Sequence, residues 1–124
     1  MQTDPDTTFR DLILDSEPGF EEVMRCVFDI AGHEGRLYLE LLAAPDSTVA
    51  ELAELVDRDR SNVNRGLSTL LEKGLVTRRR RLLDSGGHLY QYRAIDPEKA
   101  RSLMHRTLDE WTAYVHKRID EFPD

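Results

Sequence analysis

Between Thr48 and Ile95 the spacing of apolar residues changes once, at Gly74, and that change restricts the fold more than any other feature of the chain. Before it, Val49, Leu52, Ala53 and Val56, and then Val63, Leu67, Leu70 and Leu71, recur at three and four residues, which places each set on one face of a helix. Each run carries its own start signal. Thr48 and Glu51 form a capping box, in which the hydroxyl accepts one unpaired amide and the carboxylate reaches back to another. Asp59 precedes the second run as an N-cap. Beyond Gly74, a residue suited to stop a helix in left-handed backbone, LVTRRRRLL and HLYQYRAI enclose Asp84-Ser85-Gly86-Gly87, which predicts two strands around a glycine turn.

The flanks read as further helices. Phe20, Val23, Met24, Val27 and Ile30 repeat at helical spacing after Ser16-Glu17-Pro18-Gly19, with Gly32 as the expected break. HEGRLYLELLAA follows with Leu37, Leu41 and Leu42 expected inward, closed by Pro45-Asp46. Asp96-Pro97-Glu98 opens a long helix to about Phe122, with Asp96 as cap and proline at the first helical position. The predicted fold is therefore mainly α with a small β-hairpin wing: a winged helix-turn-helix with a long C-terminal dimerisation helix. Three segments follow: an N-terminal arm over 1–17, whose FRDLILD stretch could dock one apolar turn on a partner, a DNA-binding domain over 18–95, and a dimerisation helix over 96–124.

Charge is distributed unevenly. The 124 residues carry 24 acids and 17 bases, a net of −7, and only three of the bases are lysines. Residues 58–93 alone sum to +6 and the remainder to −13. A local basic region inside an acidic chain is what a phosphate backbone would feel, whatever the total. The scarcity of lysine beside abundant acid resembles cytoplasmic proteins of salt-loving microbes, haloarchaea among them, whose hydrated acidic surfaces keep protein soluble.

The basic region coincides with the parts that would face DNA. A recognition helix offers base-reading side chains from its N-terminal half, and here that half carries Arg60, Ser61, Asn62, Asn64 and Arg65. Arginine can pair with guanine and asparagine with adenine through two hydrogen bonds each. Asn62, Asn64 and Arg65 are the expected base readers, with Arg60 and Ser61 on bases or phosphates. Arg78, Arg79, Arg80 and Arg81 run along the first strand and Arg93 lies on the second. On a strand, successive side chains alternate faces, so at most half of the arginine run can point one way. These five are the expected backbone contacts, which position a protein without reading sequence.

The stretch RLYLELLAAPDSTVAELAELVDRDRSNVNRGLSTLLEKGLVTRRRR, with DSGGHLYQYRAI behind it, resembles the DNA-binding domain of TrmB-type regulators and, more loosely, MarR-like winged helices. The similarity spans roughly residues 20–122. It implies a transcription regulator that binds double-stranded DNA as a homodimer, with the long C-terminal helices paired across the dimer. Met104, Leu108, Trp111, Val115, Ile119 and Phe122, the stripe along that helix, would form the interface. Larger members of the family carry a sugar-sensing domain after this helix; the sequence ends at Asp124, so sugar sensing is not carried over, and no effector is identified.

Other readings stay open. The same wing and dimer would serve an architectural DNA-binding protein with little sequence preference, and some winged helices are protein-interaction modules. The arginine run could be a solvated strand face, and the Trp111 stripe could line a ligand pocket. Cys26 falls on an apolar helical face and reads as core rather than as a thiol switch. A single cysteine and four scattered histidines, His33, His88, His105 and His116, argue against a metal centre. No nucleophile-and-base pair or phosphate-binding glycine loop points to an enzyme. With no cofactor implied, no apolar run near the roughly 20 residues that span a bilayer and no secretory signal at the start, a cytoplasmic location is expected.

Overall fold

The computed structural model describes residues 19–123; the expected arm over 1–17 lies outside the described residues. Among the described residues there are seven elements in chain order. These are α1 (Phe20–Phe28), α2 (Gly32–Ala43), α3 (Val49–Val56), α4 (Arg60–Glu72), the strands β1 (Val76–Leu82) and β2 (His88–Ala94), and α5 (Pro97–Asp120). β1 and β2 form an antiparallel hairpin in which Val76 faces Ala94 and Leu82 faces His88. Ser47, between α2 and α3, bridges Tyr92 and so flanks β2 on its free edge.

Three helices begin by one device. Glu22, Glu34 and Glu51, each at the third helical position, accept the N–H of Gly19 (2.8 Å), Ala31 (2.7 Å) and Thr48 (2.9 Å). Only at α3 is the box reciprocal, Glu51 N–H donating to the Thr48 hydroxyl at 3.2 Å. Glu22 and Glu34 are buried by this role. α4 opens on Asp59, whose carboxylate accepts the Asn62 N–H at 2.7 Å. Asp96 occupies the N-cap position of α5 without a side-chain cap bond.

Gly32 does not break the first helix, as its place after the apolar run suggested. α1 ends at Asp29, which takes left-handed backbone (φ 56°), and Gly32 is the first residue of α2. Asp46 (φ 64°) and Asp57 (φ 54°) do the same after α2 and α3. A short side chain that bonds locally lets aspartate enter a region otherwise left to glycine, so a chain this rich in aspartate turns its corners with acids.

The core lies where α2, α3 and α4 meet under the hairpin: Leu41, Leu52, Val63, Leu67 and Leu70 are each at most 1% exposed. Leu37 is buried as expected, but Leu42 is exposed, because the inward face of α2 runs through Leu37, Tyr38 and Leu41 instead. Gly66 sets how closely α4 approaches α2, since a Cβ there would lie 2.6 Å from Leu37 Cδ1. Phe20 also faces outward. Two helices crossing over a tight turn, followed by a hairpin, make this a winged helix-turn-helix, with α5 as a long C-terminal helix.

Candidate nucleic-acid interface

Burial of Val63, Gly66, Leu67 and Leu70 fixes the orientation of α4 and turns the opposite face to solvent. Arg60, Ser61, Asn64 and Arg65 are all exposed on it. Ser68, one turn beyond Asn64, is exposed too; helical spacing from Asn64 and Arg65 was enough to place it there. Asn62 is different. It is half-buried and turned into a cleft against α2, away from the centre of the exposed face.

The hairpin divides its basic residues between two faces. Arg78 and Arg80 pair in register with Tyr92 and Tyr90, and the Arg78 guanidinium lies 4.0 Å from the centre of the Tyr90 ring. Such a cation–π contact gives the arginine a preferred direction while leaving its charge in water. Arg79, Arg81 and Arg93 share the other face with Thr77, Gln91 and Leu89. All four arginines of the run are exposed.

On that second face sits an acid that sequence reasoning missed. Asp46 accepts two hydrogen bonds from Arg93, at 3.2 Å from Nε and 2.6 Å from a terminal nitrogen, and lies 4.0 Å from Arg79. Its carbonyl accepts Gln91 Nε2 at 3.1 Å, and the Ser47 carbonyl accepts the Tyr92 N–H at 2.8 Å. Arg93, expected to contact phosphate directly, is thus tied to the loop between α2 and α3. The pairing partner is 47 residues away in sequence, and only the tertiary fold brings the two together.

The ion pair has a sign. Hydrogen bonding from Arg93, reinforced by the charges of Arg93 and Arg79, holds the Asp46 carboxyl below its ordinary value against a smaller desolvation effect. A depressed carboxylate stabilises the fold above its unfolded value of about 3.9 and ceases to do so as pH falls through the lower folded value. Asp46→Asn removes the charge and keeps a residue tolerated in left-handed backbone. It is expected to reduce the hydrogen-exchange protection of the Tyr92 amide at neutral pH. Equal protection in the two chains would show that this pair does not hold the wing to its base.

α5 is placed by its first turn. Tyr38 OH donates to the Ile95 carbonyl at 2.7 Å, and Ile95 N–H donates to the Leu75 carbonyl at 3.0 Å. Burial, with Asp96 adding and Arg101 opposing, raises the Tyr38 hydroxyl above its ordinary value, so it remains a donor. Ala100 is the one buried residue of this 24-residue helix. Met104, placed in the expected interface stripe, packs partly on the core of its own chain. Leu108, Trp111 and Val115 are half-buried, Ile119 is 60% exposed, and Phe122 lies just past the helix at 82% exposed.

No group of histidine, cysteine or acid side chains suited to a metal ion occurs among the described residues, and no helix there is long and apolar enough to cross a membrane.

Residues 24–98 match the profile of the family described as the sugar-specific transcriptional regulator TrmB. An uncharacterised protein of Methanocaldococcus jannaschii is 33% identical over 102 residues, covering 82% of this chain and 77% of its own. Among solved structures, a "possible transcriptional regulator" from Methanosarcina mazei superposes with a TM-score of 0.70 at 23% identity, over 84% of this chain and 88% of that one. FabT of Streptococcus pneumoniae, solved in complex with DNA, gives 0.53 at 23% identity, over 84% of this chain and 71% of that one. At these identities the structural likeness bears on the fold.

Proposed function

The chain belongs to the TrmB family of transcriptional regulators, and from that premise we propose that it is a sequence-specific DNA-binding regulator acting as a homodimer. The DNA-binding unit spans residues 18–95, and α5, within the segment 96–124, joins the dimer. α4 enters the major groove with Asn64 and Arg65 at base edges and Arg60 and Ser61 on bases or phosphates. Arg78 to Arg81 follow the backbone, and Arg93 contributes from its pairing with Asp46. Two copies joined through α5 would set their recognition helices in successive major grooves, about 34–36 Å apart, on a two-fold-related site. The protein works in the cytoplasm, and its acidic surround suits a salt-rich interior.

One observation carries this reading: the exposed polar face of α4 stands beside an exposed hairpin bearing four consecutive arginines, in a chain whose remaining residues are strongly acidic. A solvated surface or a protein-docking face has no need to concentrate base there. The DNA complex of the structurally similar FabT supports the same use of the fold.

The test is selection of bound fragments from a genomic DNA library in KCl solution, run in parallel with an Asn64→Ala, Arg65→Ala variant. Enrichment of one two-fold motif by the parent and its loss in the variant is the expected result. Equal enrichment of all sequences would make the protein architectural, and no binding at any salt would turn the search to protein partners.

A further inference from the structure

Four side chains outside the wing and the exposed face of α4 converge on one cleft. His33 and Arg36 come from the first turns of α2, Arg58 from the turn between α3 and α4, and Asn62 from the first turn of α4. Leu37, Val56 and Val63 form the apolar floor of this space of about 210 Å³. No carboxylate of the described residues lines it. Arg58 stands between Asp57 and Asp59 in sequence, but the Asp59 carboxylate is engaged in capping α4. Neither Arg36 nor Arg58 forms an ion pair with any described residue. Two arginines with no acid partner among the described residues, lining one cleft with an imidazole and an amide, are the donor set an anion would need.

We propose that this cleft binds a phosphate group, held by Arg36 and Arg58 with Asn62 and His33 as further donors, and that in the DNA complex this group is a backbone phosphate. The second half of the inference rests on the DNA-binding reading above. Its geometry follows from the dimensions of the duplex. The major groove is about 12 Å wide, and a helix with its side chains is about 10–12 Å across. A helix seated in the groove therefore has a sugar–phosphate strand close on either flank. Asn62 and Val63 of the first turn of α4 line the cleft, so with α4 seated in the groove an arginine there would reach one strand. Planar guanidinium groups grip phosphate through paired hydrogen bonds, and two of them around one phosphate fix a register as well as adding charge. Asn62 on this account positions the backbone instead of reading a base, which agrees with its half-buried place.

The experiment uses an Arg36→Gln, Arg58→Gln variant of the full chain, with both residues exposed and so removable without disturbing the core. Binding to the selected duplex is measured over a range of KCl, and amide NMR signals of the protein alone are followed during titration with inorganic phosphate. One backbone phosphate lost per protomer, two per dimer, makes the slope of log affinity against log salt shallower by about 1.8 and lowers affinity on the order of thirtyfold near 0.15 M salt. Because a phosphate carries no sequence, the preferred motif should be unchanged. In the parent, phosphate should shift the amides of residues 32–36 and 58–63, and in the variant it should not. Signals that respond while the slope stays unaltered would assign the cleft to a free phosphate-bearing solute and overturn the backbone assignment. Identical slopes and identical titrations in parent and variant would overturn the site altogether. A parent that binds no duplex would remove the regulatory reading but not the site, which then stands or falls on the titration.

Discussion

Replacing Arg78, Arg79, Arg80 and Arg81 together by serine is expected to weaken binding to duplex DNA on the order of a thousandfold near 0.15 M salt. Because side chains alternate along β1, two of the four face each way, and two per protomer is the number that can lie along one strand of backbone. A dimer then loses about four phosphate contacts. Each contributes about 0.9 to the slope of log affinity against log salt, so the variant's slope should be shallower than the parent's by about 3.6. The fold should hardly notice. All four residues are exposed, and two described contacts engage them: the stacking of Arg78 on Tyr90, worth about 0.5–1 kcal/mol at such a site, and the 4.0 Å approach of Arg79 to Asp46, an exposed pair of little weight. Anisotropy titrations of parent and variant across KCl concentrations read both quantities. Parallel lines in that plot, with an unchanged melting temperature, would mean that the wing does not touch DNA.

The second large effect concerns α5. Val115→Glu together with Ile119→Glu is expected to convert the protein from a species of twice the 14.3 kDa chain mass to one of that mass in sedimentation equilibrium. The helix extends about 36 Å over its 24 residues. Among the described residues the chain buries Ala100 and packs Met104 on its core, and it leaves Leu108, Trp111 and Val115 half-buried further along. The distal half leaves Tyr114 and Ile119 exposed beside the half-buried Val115, with Phe122 exposed beyond it, an apolar stripe that a second copy would cover. Two carboxylates introduced there would have to be buried in a paired interface at several kcal/mol each, whereas in an isolated chain they remain hydrated. Binding to a two-fold site should fall to that of a single half-site. A variant that still sediments at twice the chain mass would move the interface away from this stretch.

What could be read from sequence followed locality. α3 runs over Val49–Val56, the residues its capping box implied, because Thr48 and Glu51 lie three apart and act on one turn. The hairpin also followed from contiguous residues, alternation and a glycine turn. Leu42 and Phe20 were assigned to the wrong side of their helices, and the other departures involve partners distant in sequence or a side chain in an unusual role. Gly32 drew attention as a helix breaker, yet Asp29 carried the left-handed backbone and Glu34 supplied the start of α2. Asn62 looked equivalent to Asn64 in a list of polar residues, but the packing of α4 on α2 turns it to the flank. Arg93 was grouped with the wing because nothing near it in sequence announced Asp46. Arg36 and Arg58 were passed over for the same reason: 22 residues separate them, and each alone is an ordinary surface arginine.

The bond from Tyr38 to the Ile95 carbonyl has a bearing on how target sites could diverge. In a dimer joined through α5, the separation of the two reading heads depends on the angle at which that helix leaves its domain. Tyr38 fixes this angle from below, and Gly74 (φ 79°) fixes it from the side, since a Cβ there would stand 3.3 Å from Leu103 Cδ2. Neither residue is on the face offered to a base. The pair acts like the pivot of a draughtsman's dividers: substitutions there would reset the number of base pairs between half-sites while leaving the letters read in each half-site alone. In such a dimer, the spacing and the sequence of the target would be set by different residues and would be free to drift independently.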